Sequence, residues 1–96
     1  YLSTKSGVLL EKVISQGTIN AAVVSPREVF HQAIRVSCAS LIIIHNHPSG
    51  DPTPSQEDIE LTKKMVDAGK VMDIAVLDHV IMGSPGYVSL KEKGVI

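Results

Sequence analysis

Two histidines one residue apart open the stretch HNHPSGDPTPSQED, residues 45 to 58. His45 and His47 offer imidazole nitrogens, Asp58 a carboxylate and Ser55 a hydroxyl. Two neutral imidazoles and one carboxylate are a donor set that suits Zn²⁺. Residues i and i+2 of a strand point to the same face, so histidines at a strand end present their rings side by side. The third ligand must come from another element. Asp58 is placed for it, because the turn ending at Pro54 brings the first turn of the next helix back towards the strand. Three protein ligands leave a fourth position for water, which is the layout of a catalytic zinc site. The same residues also have plain structural roles. A histidine at a strand end can be a satisfied polar group, Asp58 can complement a helix dipole, and Ser55 is fully explained as an N-cap. The residue types alone leave both readings open.

The elements that must position this stretch are legible around it. Val8 to Ser15 reads as a strand, Gly17 and Asn20 punctuate a turn, and Ala21 to Val24 reads as a second strand. Ser25-Pro26-Arg27-Glu28 predicts a helix start, with Ser25 as N-cap, Pro26 as first helical residue and Glu28 as capping-box partner. Val29, Phe30, Ala33, Ile34, Val36 and Ser37 continue at helical spacing, to an end near Cys38 or Ala39. Leu41-Ile42-Ile43-Ile44 is apolar on both faces and predicts a central strand covered on both sides. Pro48 to Pro54 can be neither helix nor central strand. Ser55 is a second N-cap, and Ile59, Thr62, Met65, Val66 and Gly69 follow on one helical face, with Gly69 as a terminator. Met72 to Val76, His79 to Met82 and Tyr87 to Leu90 read as strands, with a Gly83-Ser84-Pro85-Gly86 turn and a Lys91 to Gly94 cap. The order β-β-α-β-α-β-β-β predicts an α/β sandwich with a mixed sheet.

The bulk composition narrows the function classes. A chain of 96 residues holds one domain and has no room for a second core. The net charge is -1 with no basic run, and aromatics make up only 3 %, which argues against direct nucleic-acid binding. The single cysteine, Cys38, cannot form an internal disulfide, which favours a reducing compartment, the cytoplasm. The longest apolar run, Leu41 to Ile44, is too short to cross a membrane, and no signal peptide is visible. The chain opens with Tyr1 and is read as a fragment cut at its N-terminus. Cys38, at the end of an apolar helix face, is expected to be buried, His31 exposed, and Met65, Met72 and Met82 core filler.

The spacing His45-x-His47, seven residues, Ser55-x-x-Asp58 resembles the JAMM motif, also called MPN-plus or JAB, of metalloproteases. Three consecutive letters spelling "HNH" do not make the ββα-metal nuclease of that name. A zinc deaminase is excluded because its His-x-Glu and Pro-Cys-x-x-Cys signatures are absent. HNHPSGDPTPS, Gly17-Thr18, Ser25-Pro26-Arg27-Glu28-Val29-Phe30, Asp78-His79 and Ser89-Leu90 together resemble the C-terminal domain of the RadC family, over nearly all 96 residues. The resemblance implies a cytidine-deaminase-like α/β/α fold and a zinc site whose ligands match His45, His47 and Asp58. It implies that Ser55 helps stabilise a tetrahedral intermediate, and that the reaction is hydrolysis of a peptide or isopeptide bond in an unidentified protein or peptide substrate.

This enzyme class also needs a glutamate as general base. In RadC-like sequences the matching glutamate lies on a strand just upstream of the segment resembling Tyr1-Leu2. Glu28 is expected in a capping box, Glu11 on an exposed strand face, and Glu57 and Glu60 turned away from Asp58 around the helix. The chain as written is therefore expected to bind zinc but to hydrolyse poorly. Asp78-His79 has two readings, a pair that orients a ligand imidazole or a hydrogen-bonded pair at a strand junction. Asp51 either assists the site or is an ordinary turn residue before proline. Two other functions stand beside the peptidase: the DNA-repair association that the RadC family carries, and a non-catalytic interaction module. Retention of all three ligands argues against the module. An exposed sheet edge at the N-terminus would invite a homodimer.

Overall fold

The computed structural model describes residues 1–12, 24–47 and 49–96. In chain order they form α1 (Pro26–Arg35), β1 (Ser40–Asn46), α2 (Gln56–Met72), β2 (Ala75–Met82) and β3 (Tyr87–Ser89). The strands make one mixed sheet in the order β1-β2-β3, with β1 parallel to β2 and β2 antiparallel to β3. The result is a small α/β unit, as the alternation of patterns predicts. Of the two expected N-terminal strands, Val13 to Ser15 and Ala21 to Val23 lie outside the described residues, as do Gly17, Thr18 and Asn20. Within the described part, Val8 makes only an isolated bridge to Leu2, which also bridges Ser40.

Both helices bury one stripe, α2 against β2 and α1 against α2. In α1 it is Val29, Phe30 and Ala33; in α2 it is Asp58, Thr62, Met65 and Gly69, at helical spacing. Val29, Phe30, Ala33 and Met65 join Cys38, Leu41, Ile74 and Val76 in the core. Cys38 is buried and His31 exposed, as expected. Of the three methionines only Met65 is core; Met72 and Met82 stay 42 % and 39 % exposed, which corrects their reading as filler.

Helix ends differ from expectation for identifiable reasons. α1 stops at Arg35 because Ser37 adopts a left-handed φ of 52°. The Ser37 amide then donates to Ile34 O and the Cys38 amide to Ala33 O, a Schellman closure made without glycine. The capping box expected at Ser25 is absent: its hydroxyl makes no cap bond and is buried without a partner, and Glu28 is exposed. α2 runs past Gly69 to Met72 and ends at Asp73, whose φ is 57°. Gly69 serves close packing instead, since a β-carbon there would run into the carbonyl of Ile74. The two strands expected at Met72 to Val76 and His79 to Met82 are one, Ala75–Met82, because the ladder with β1 runs from Ser40 and Ala75 through Ile42 and Asp78 to Asn46 and Met82; Met72 still belongs to α2.

The largest correction concerns β1. Among the described residues it pairs regularly with β2 alone and forms the sheet edge, and its burial alternates. Leu41 is buried, whereas Ile42 and Ile44 are 42 % and 70 % exposed. Among the described residues, the face carrying Leu41 and Ile43 packs on the core and the Ile42 and Ile44 face is left uncovered.

Candidate metal centre

β1 carries His45 to the C-terminal end of the sheet, and the His47 amide still donates to Met82 O at 3.1 Å just past the strand. The two rings sit edge to face, with centroids 4.8 Å apart. Across from them, Ser55 caps α2 in a complete capping box. Its hydroxyl accepts the Asp58 amide at 3.1 Å, and Asp58 Oδ2 accepts the Ser55 amide at 2.8 Å. The helix cap therefore holds Asp58 in one rotamer, facing the histidines. Asp58 Oδ1 lies 3.2 Å from His45 Nδ1, and Oδ2 lies 3.0 Å from His47 Nε2.

The tautomer of His47 follows from its other contact. Nδ1 is 2.9 Å from the carbonyl of Asp51, which can only accept, so Nδ1 carries the proton. In the neutral ring Nε2 then turns a lone pair on a carboxylate oxygen 3.0 Å away. That arrangement needs a proton or a metal cation between the two. Neighbouring ligands of a tetrahedral zinc with bonds of about 2.0–2.1 Å lie about 3.3 Å apart, close to both contacts. The donor atoms of His45, His47 and Asp58 all lie within 4.8 Å of one another. Asp58 is 1 % exposed, while the imidazoles keep 22 % and 16 % of their side chains in solvent. The site thus has a buried anionic floor and an open rim.

Burial pushes the Asp58 carboxyl up. The amide and hydroxyl of Ser55, with the two imidazoles, outweigh it and hold the group below the ordinary carboxylate value. A ready anion is what a cation ligand requires. The Ser55 oxygen accepts from Asp58, which leaves its own O–H free to donate outward.

Asp51 contributes through its backbone, because its carboxylate is bound to the amide and hydroxyl of Thr53. Asp78 and His79 divide. Asp78 ties β2 to β3 and to the Lys91 turn. His79 is fully buried, bonds Thr62 Oγ1 through Nδ1 at 2.6 Å, and stacks on the His45 ring at 5.9 Å. Glu11, Glu28, Glu57, Glu60 and Glu92 are exposed, and none joins the cluster.

Thr62, read from the sequence only as a core-face residue, and Gly83, read only as a turn residue, also serve the site. No sequence signal separates them from ordinary packing and turn residues. Gly83 lies under the metal loop, where an added β-carbon would collide with Gly50 O and approach Pro52 Cδ to 2.6 Å. The loop is docked there by the Ser84 amide, which donates to Gly50 O at 2.8 Å. Gly83→Ala is expected to push residues 50–52 away, loosen the Asp51 carbonyl on His47 and weaken zinc about tenfold. Competition with a chromophoric chelator measures this.

The strand-end histidine pair facing a helix-capped aspartate is a set that could hold a metal ion on a small α/β domain, and the family model described as "RadC-like JAB domain" matches residues 1–95. The chain belongs to this family. Similar proteins include a UPF0758 protein of Methanococcoides burtonii, 58 % identical over all 96 residues. One from Syntrophomonas wolfei is 54 % identical over all 96 residues, and one from Desulforamulus reducens 58 % identical over 95 residues, 99 % of the chain. The matched part is 42 %, 41 % and 42 % of those three relatives, so the chain spans less than half of their length.

Proposed function

We propose that this chain is a zinc-dependent metallopeptidase-like domain of the JAMM class, acting on a peptide or isopeptide bond of a protein or peptide, with a cytidine-deaminase-like arrangement of its layers. The observation that carries the reading is the convergence of His45, His47 and Asp58, with the His47 lone pair aimed at an anionic oxygen. These three residues would hold the zinc. When bound, zinc polarises a carbonyl and lowers the pKa of water to about 7. Asp58 supplies the compensating charge, and the Asp51 carbonyl keeps the His47 proton on Nδ1. The Ser55 O–H is free to donate to an oxygen that gains negative charge at the open rim. No described glutamate is placed to take a proton there.

Among the described residues, the edge of β1 beyond the Leu2 bridge at Ser40 and the exposed Ile42 and Ile44 favour a protein partner, a second copy included, over nucleic acid. Among the described residues no helix is long and apolar enough to cross a membrane. The test is elemental analysis of protein purified without chelator, beside His45→Ala. About one zinc per chain, lost in the variant, is expected. A wild-type chain that stays zinc-free after zinc addition overturns the reading.

A further inference from the structure

His79 and Thr62 form a unit that the metal ligands do not account for. Thr62 Oγ1 has one proton and two short contacts, 2.7 Å to the Asp58 carbonyl and 2.6 Å to His79 Nδ1. The carbonyl can only accept, so the hydroxyl proton goes there. His79 must then donate from Nδ1, which leaves Nε2 a bare lone pair, buried without a hydrogen-bond partner. The opposite assignment would set two oxygens 2.7 Å apart with no proton between them and bury an unsatisfied N–H as well. The polar chain therefore runs from β2 through the His79 ring and the Thr62 hydroxyl to the carbonyl of Asp58.

We infer that His79 and Thr62 are positioning residues for the metal centre, His79 fixing both ligand-bearing elements at once. Through Thr62 it locks the helical turn that carries Asp58, and by its 28° stacking it backs the ring of His45. A buried imidazole used in this way sets the approach of β1 to α2, and so the spacing between His45 and Asp58. The inference rests on the metal-centre reading and deepens it.

The test compares zinc affinity, by chelator competition, for the wild type and four variants, each with its Co²⁺ absorption spectrum. Thr62→Val and His79→Leu are expected to weaken zinc 10–100-fold and to shift or broaden the Co²⁺ bands. Thr62→Ser keeps the hydroxyl and is expected within about threefold of wild type; His79→Asn keeps a donor near the Nδ1 position but loses the ring behind His45, and is expected between wild type and His79→Leu. In nitrogen-15 spectra His79 is expected as the Nδ1–H tautomer, changing in Thr62→Val. Loss of affinity in Thr62→Ser equal to that in Thr62→Val would assign the effect to packing and overturn the inference, as would wild-type affinity in His79→Leu. Absence of zinc from the wild type would instead remove the metal reading, and this inference with it.

Discussion

Asp58→Asn is expected to reduce zinc from about one per chain to near zero while leaving α2 in place. The substitution separates two roles that one carboxylate performs. An asparagine oxygen can still accept the Ser55 amide, so the capping box survives. The negative charge between two imidazoles does not. Asp58→Ala removes the cap as well and adds a stability loss of about 1 kcal/mol. The metal readout is large because binding to the folded state alone stabilises it. At free zinc about a thousand times the dissociation constant, the gain is about 4 kcal/mol. Wild-type protein is expected to show that gain in urea titrations with and without zinc, and Asp58→Asn to show none. Equal zinc stabilisation in both proteins would remove Asp58 from the ligand set.

The second large effect is acid destabilisation of the metal-free protein. Burial pushes the His79 imidazole down to about 4, against partial opposition from Asp58 and Asp78, with His45 and His47 adding to the depression. The unfolded chain protonates this residue near pH 6.5. Above pH 6.5 both states are neutral there, and His79 imposes no pH dependence. Between 6.5 and about 4 the unfolded state binds the proton and the folded state does not, so stability falls as pH falls. The full span corresponds to roughly 3 kcal/mol. In chelator-treated protein, urea midpoints measured from pH 7.5 down to pH 4.5 are expected to decline more steeply for wild type than for His79→Asn. Parallel curves would mean that His79 is protonated in the fold.

How much of this was legible depends on the range over which each residue acts. The metal stretch was readable because its logic is local: a strand end, a Pro/Gly turn and a capped helix place His45, His47 and Asp58 within 14 residues of sequence. The Ser55 cap was readable for the same reason, and its capping box with Asp58 turned the aspartate's structural role and its candidate ligand role into one geometry. The Ser25 cap carried the same local signature and failed, because nothing local reports whether a hydroxyl will meet the amide three residues on. Gly69 was misread because its neighbour in space, the Ile74 carbonyl, is set by how α2 turns into β2.

By itself the sequence determined the element types around the site and the candidate donor set, since helix period, strand period and turn chemistry are short-range properties. Tertiary structure alone decided which face of β1 is open, that Gly83 makes room for the metal loop, and that His79 reaches across to Thr62 while Asp78 turns the other way. Those outcomes depend on contacts between residues 11 or more positions apart, such as Asp78 with Ser89 and Thr62 with His79, which no local pattern encodes.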